Sequence, residues 1–128
     1  MKMLQLLKTI FFIALSVLIL DGIYLSSLSN YFSKVFKEIQ GSKMEFRIPS
    51  AVLCYVFIIF SIYYFGFVLN IGLLNMFILG VIIYGIYELT NHATIKNWPL
   101  FMVIVDTLWG GILYSSSFSV SNYLLSLV

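Results

Sequence analysis

Residues 49–89 decide the fold, and they read PSAVLCYVFIIFSIYYFGFVLNIGLLNMFILGVIIYGIYEL. A membrane-spanning helix needs about 20 predominantly apolar residues, so this stretch is too long for one span and long enough for two. Asn70 and Gly72 interrupt it near its middle, and these residue types are typical of tight turns. The stretch therefore predicts two spans, residues 49–69 and 71–89, which a tight turn joins into an antiparallel pair.

Two further segments are long and apolar enough to cross a membrane. Residues 9–28 lie before the central stretch, and residues 99–118 lie after it. Pro49 and Pro99 stand at the predicted starts of two spans, where proline is tolerated because the amide hydrogen it lacks would have no helical partner there. The chain is therefore predicted to be all-α, with residues 1–128 forming a single integral membrane domain, a four-helix transmembrane bundle.

The first span also has the features of a signal peptide. Lys2 and Lys8 precede an apolar run over residues 9–20, which is the usual order in such a peptide. No small-residue cleavage site follows the run, so we expect this segment to be retained as a span.

A polar stretch between the first two spans predicts a short amphipathic helix. Its apolar residues recur at helical spacing, at Phe32, Val35, Phe36 and Ile39. Gly41 follows them and is a typical helix-ending residue. We expect this helix to lie in the headgroup region of the membrane; the alternative is a helix that binds a partner.

Composition excludes several classes of protein. Hydrophobic residues make up 62% of the 128 residues and charged residues only 9%. Soluble domains have about 25% charged residues, so the composition excludes an ordinary soluble domain. The net charge of +2 is too small to indicate a nucleic-acid partner. The single cysteine, Cys54, cannot form an internal disulfide, and its apolar surroundings predict a small buried side chain.

Three acidic residues lie in or beside the predicted spans. An aspartate at the centre of a membrane helix costs about 2.5–3.5 kcal/mol on insertion scales, so such residues are hypotheses for function. Because successive spans run in opposite directions, Asp21, Glu88 and Asp106 are predicted to lie toward the same face of the membrane. Two interpretations stay open: a polar site between helices, or carboxyl groups that pin one helix to another.

Other polar residues are predicted to lie at the same face. Thr90 and Asn91 are expected to satisfy backbone groups where the third span ends, and Trp98 is expected to sit in the interfacial aromatic belt. Glu88 and His92 are four residues apart, so with the two aspartates they could form a metal site; without a second histidine or an HExxH motif we predict no metal and no cofactor. The candidate cluster comprises Asp21, Glu88, Thr90, Asn91, His92, Asp106 and Trp109.

The C-terminal half carries a set of motifs. Residues 84–91 read YGIYELTN, a Trp-Pro pair ends at Pro99, and residues 105–110 read VDTLWG. The chain resembles a family of small four-span predicted membrane proteins of unknown function, found in bacteria and in large DNA viruses, whose signature is Tyr-Asp-Leu-Thr-Asn, Trp-Pro and Asp-x-x-Trp-Gly. Residues 20–25, LDGIYL, are similar to a further Asp-x-x-Trp-Leu motif, and Glu88 replaces the family's usual aspartate. The resemblance implies fold and membrane location rather than an activity.

Two functions from different classes are consistent with the sequence. No catalytic triad, phosphate-binding loop or cofactor motif is visible, which favours a non-enzymatic component that organises a membrane. The family resemblance implies its setting, a bacterial inner membrane or the internal membrane of a virion. Its expected partners are the lipid bilayer and a homo-oligomer or larger membrane or capsid assembly, with no nucleic acid. The alternative is a small transporter or intramembrane enzyme that uses the carboxylate cluster. That alternative predicts a cavity that reaches the cluster, and it fails if the carboxylates only pin helices.

Overall fold

The computed structural model describes residues 2–128, which form helices and no strand. Four segments are long and apolar enough to cross a membrane, which confirms the predicted four-helix transmembrane bundle with a short amphipathic helix after the first span. The helices are α1 (Lys2–Ser27), α2 (Ser29–Gln40), α3 (Ile48–Ile62, continued by a π-helical segment, Tyr63–Val68), α4 (Leu73–Thr94) and α5 (Leu100–Leu127).

The turn in the middle of the long apolar stretch is present. Asn70 and Gly72 have φ angles of +50° and +93°, so both adopt a left-handed backbone between the π-helical segment and α4. Pro49 lies in the first turn of α3, and Pro99 immediately precedes α5. The backbone thus changes direction at the positions that the residue types predicted.

Three helices extend beyond the predicted spans at one end: α1 begins earlier, at Lys2, while α4 and α5 end later, at Thr94 and Leu127. The 28 residues of α5 measure about 42 Å at 1.5 Å per residue, against roughly 30 Å of hydrocarbon. Hydropathy marks only the part of a helix that faces hydrocarbon, so it underestimates helix length. Thr90 and Asn91 do not end the third span, because α4 continues to Thr94. The hydroxyls of Thr90 and Thr94 donate to carbonyls four residues back within this helix.

The amphipathic helix α2 packs on its own chain. Its apolar side, including Val35 and Phe36, covers Trp98 in the α4–α5 connection and Met102 and Val103 at the start of α5. Gly41 ends the helix with a φ of +76°, as predicted. The helix therefore closes one end of the bundle, in addition to presenting Lys34 and Lys37 at the surface.

Helices α4 and α5 approach each other most closely. A Cβ built on Gly80 would lie 2.1 Å from the carbonyl oxygen of Gly110, so the two backbones are in direct contact there. A Cβ on Gly111 would meet Phe77 and Val81 of α4 at 2.7 Å. Small residues allow such close packing, which holds membrane helices together without a hydrophobic driving force between them.

The second span is the least covered by the rest of the chain. Only 11% of its most apolar window is buried, against 39% for α5. The prediction that Cys54 is buried is wrong, because Cys54 lies on the exposed surface of α3. An apolar run indicates that a residue lies in the membrane, but it does not say whether the side chain faces lipid or protein.

We predict that Gly80→Ala and Gly110→Ala each destabilise the protein by about 1–3 kcal/mol, because the added methyl group overpacks the contact between α4 and α5. The measurement is the free energy of unfolding in lipid–detergent mixed micelles. Gly22→Ala is the matched control: a Cβ at Gly22 meets nothing within 4 Å, so no loss is expected. Equal losses for all three variants would contradict the packing described.

Candidate functional site

Asp21 joins three helices through its carboxylate. It lies in α1 and is 7% exposed. One oxygen, Oδ1, accepts a hydrogen bond of 2.9 Å from Nε1 of Trp109 in α5, and the other, Oδ2, accepts one from the hydroxyl of Tyr55 in α3. Both oxygens of the side chain are therefore used to hold neighbouring helices.

Asp106 in α5 is also held by α1, at a residue about one helical turn after Asp21. Its Oδ1 accepts a 3.0 Å hydrogen bond from the hydroxyl of Tyr24. The ring of Tyr24 stacks on Trp109, with ring centroids 4.5 Å apart and planes inclined by 4°. The two aspartates are thus linked through one aromatic stack between α1 and α5.

Glu88 in α4 is 2% exposed and lies at the same end of the bundle. Its Oε1 accepts a 2.8 Å hydrogen bond from Nε1 of Trp98, and the carboxyl group of Asp106 is a close neighbour. His92 Nδ1 donates to the main-chain carbonyl of Trp98 at 2.9 Å. Trp98, expected in the interfacial belt, is instead buried and fixes the connection from α4 to α5.

The structure brings together part of the predicted cluster. Asp21, Glu88, Asp106 and Trp109 lie within one polar network, and His92 reaches it through Trp98. Two predicted members stay outside the hydrogen bonds of this network. Thr90 donates to the carbonyl of Ile86 at 2.6 Å and is exposed, and the main-chain carbonyl of Asn91 accepts from Ile95 at 2.7 Å.

Two tyrosines that donate to the aspartates lie outside the predicted cluster, Tyr24 and Tyr55. Tyr24 belongs to the LDGIYL motif of residues 20–25, whereas no sequence motif points to Tyr55. Tyr55 follows Pro49 by six residues, while Asp106 follows Pro99 by seven, so the two residues lie at similar depths from the same face. Matching the depths of polar side chains across spans is a signal that could have identified Tyr55 as a donor. It could not have identified which carboxylate Tyr55 contacts, because that depends on helix rotation.

The network is not arranged as a metal centre. Within residues 2–128, no group of three or more His, Cys, Asp or Glu side chains is placed to hold a metal ion. Phenol and indole donors instead occupy the carboxylate oxygens of Asp21, and such donors compete with a cation for the same lone pairs.

Two adjoining cavities lie between α1, α3 and α4 and reach the network. The outer chamber, of about 790 Å³, is lined toward the α2–α3 connection by Lys43 and Arg47. The inner chamber, of about 560 Å³, extends to Asp106 and Tyr114. Both chambers are lined by six common residues, Asp21, Leu25, Cys54, Ile58, Tyr84 and Tyr87, so together they form one cleft.

Comparison with known proteins places the chain in a family. The family described as "Predicted membrane protein (DUF2177)" matches residues 6–123. The chain belongs to the DUF2177 family. The match covers most of each span of this DUF2177 protein and the whole carboxylate network, and it confirms the resemblance to a predicted membrane protein family of unknown function. No curated protein and no solved structure matches the chain.

We predict that Tyr24→Phe and Tyr55→Phe each lower the free energy of unfolding by about 0.6–1.7 kcal/mol, between the average and the maximum measured for polar contacts between membrane helices. Each change removes only the hydroxyl that a carboxylate accepts from. Tyr123→Phe is the control, because Tyr123 is 64% exposed. Thermal unfolding in nanodiscs measures the effect, and the described bonds would be refuted by losses no larger than that of the control.

Proposed function

We propose that the protein is a non-enzymatic component that organises the membrane in which it is embedded. Its intramembrane carboxylates hold helices in register and do not carry out a reaction or move an ion. The proposal includes self-association or incorporation into a larger membrane or capsid assembly. It also includes the setting that the family resemblance implied, a bacterial inner membrane or the internal membrane of a virion.

One observation carries the proposal: each carboxyl group of the network accepts a hydrogen bond from an aromatic side chain of another segment. Asp21 accepts from α3 and α5, Asp106 accepts from α1, and Glu88 accepts from Trp98 in the α4–α5 connection. Ionisable groups in spans suggest ion or proton pathways by default. Here each carboxyl group accepts at least one hydrogen bond from another segment, which supports a structural role. The cavity that the transporter alternative predicts is also present, because the cleft is lined by Asp21 and Asp106, so a measurement of ion flux decides between the two.

The extramembrane parts of the described chain support the same proposal. Between helices, residues 41–47 form the longest connection, and residues 69–72 and 95–99 are shorter. Within residues 2–128 there is no folded unit outside the helices that could bind a soluble substrate. The bundle therefore acts through its membrane-embedded surface.

The variant Asp21→Asn tests the proposal, because it removes the ionisable group of Asp21 and can keep its hydrogen bonds. An asparagine oxygen can accept from Trp109 while its amide donates to the hydroxyl oxygen of Tyr55, so both contacts survive without the ionisable group. We predict that wild-type protein and Asp21→Asn, reconstituted in liposomes, both leave proton and cation leakage at the level of protein-free liposomes. A flux through the wild-type protein that Asp21→Asn abolishes, while the variant keeps its unfolding temperature, would establish the transporter alternative instead.

Self-association supplies the positive measurement. Copies labelled with donor or acceptor fluorophores at the N-terminus are reconstituted together at low density in liposomes. An organising component is expected to give energy transfer above that of randomly distributed labels, and excess unlabelled protein is expected to remove it. Transfer at the random level would contradict the proposed assembly.

A further inference from the structure

We propose that the cleft formed by the two chambers binds one anionic glycerophospholipid, with its phosphate at Lys43 and Arg47 and one acyl chain between α3 and α4. The site goes beyond the proposed function, because it names a ligand and a place for it.

The two chambers have different chemistry, and the difference matches an amphipathic ligand. Around the outer chamber, the α2–α3 connection contributes Ser42, Lys43, Glu45 and Arg47, which lie at the end of the bundle. Deeper in the span, apolar side chains such as Phe57, Ile58 and Ile83 line the α3 and α4 walls of the inner chamber. The carboxyl groups of Asp21 and Asp106 line its α1 and α5 walls, where they accept from aromatic donors of the protein. A polar head therefore finds donors at the membrane surface, and a hydrocarbon chain finds apolar side chains along α3 and α4 below.

The cleft is open to the bilayer along one side. Helix α3 packs against α1, whereas α4 packs chiefly against α5, so α3 and α4 stand apart. Phe57 on α3 and Tyr87 on α4 line the gap and are 74% and 54% exposed. A lipid could enter sideways without leaving the membrane, and a cavity of 560 Å³ lies within the roughly 300–1,000 Å³ range of ligand sites.

The two cations of the α2–α3 connection favour an anionic head. Lys43 and Arg47 are exposed at the mouth, where Glu45 is the one acidic residue of the connection. The other acidic residue of the outer chamber, Asp21, lies deeper, and its oxygens accept from Tyr55 and Trp109. Arginine and lysine are the usual binders of phosphate groups. The amide of Gln40 donates to the carbonyls of Ser42 and Lys43 at 3.1 and 2.9 Å, which fixes the course of the connection that carries both cations. A phosphate meets two positive charges there, while Glu45 can accept from hydroxyls of a glycerol head.

Cys54 provides a built-in reporter of occupancy. It is the single cysteine of the chain, it is exposed, and it lines both chambers. The rate of its alkylation by a membrane-permeant maleimide is measured in detergent micelles supplemented with phosphatidylglycerol or with phosphatidylcholine. At about ten times the dissociation constant, some nine-tenths of the sites are occupied, so phosphatidylglycerol is expected to slow labelling about tenfold. Phosphatidylcholine and sn-glycerol phosphate are expected to leave the rate unchanged.

Two matched double variants test whether the lipid headgroup binds at Lys43 and Arg47. Lys43→Gln with Arg47→Gln is expected to abolish protection by phosphatidylglycerol. Lys34→Gln with Lys37→Gln removes the same charge from exposed positions of α2 that do not line the cleft, and protection is expected to persist. Equal loss in both double variants would reduce the effect to general surface electrostatics and overturn the site.

The variant Ile83→Trp tests where the acyl chain binds, because it narrows the inner chamber and leaves Lys43 and Arg47 in place. Weaker protection in this variant is expected. Equal labelling rates with the two lipids in the wild-type protein, or protection by sn-glycerol phosphate alone, would refute the proposal. Protection of Cys54 is measured separately from ion flux and self-association, so the lipid site and the organising function succeed or fail independently.

Discussion

A carboxylate inside a membrane must find its hydrogen-bond donors within the protein, and the position of Asp21 imposes this requirement on three helices at once. Hydrocarbon offers no water to satisfy the group. The hydroxyl of Tyr55 and the indole nitrogen of Trp109 supply the donors, so α3 and α5 are fixed in rotation and depth relative to α1. The stack of Tyr24 on Trp109 carries the same alignment to Asp106.

The cleft follows from how unevenly the helices are held. Backbone contact at Gly80 and Gly110 binds α4 tightly to α5 over the middle of the bundle. Helix α3 has no comparable backbone contact with α4. Tyr55 ties α3 to Asp21 near one end, and Gly66 of the π-helical segment meets Phe118 near the other. Between them the hydroxyl of Ser61 is hydrogen-bonded to that of Tyr114 in α5 at 2.6 Å. These attachments reach α1 and α5, so α3 stands away from α4 and the chambers stay open to lipid.

Sequence predicted what depends on composition and on local backbone chemistry. Span number, the turn at Asn70 and Gly72, and the end of α2 at Gly41 follow from apolar length and from residues that tolerate positive φ. The exposure of Cys54 and the role of Tyr55 depend on how α3 is rotated, and the strongly apolar faces of that helix carry little signal for rotation. Likewise, nothing in the sequence around Trp98 separates an interfacial tryptophan from a buried donor to Glu88.

The central claim is that Asp21 works through its interhelical hydrogen bonds, and a double-mutant cycle of Asp21→Leu and Tyr55→Phe tests it most directly. Free energies of unfolding are measured for the wild type, both single variants and the double variant. We predict a coupling energy of about 0.6–1.7 kcal/mol, because the second change removes a donor that has already lost its acceptor. The pair Asp106→Leu and Tyr55→Phe is expected to be additive, since Asp106 accepts from Tyr24 instead. Additivity of Asp21→Leu with Tyr55→Phe would contradict the account.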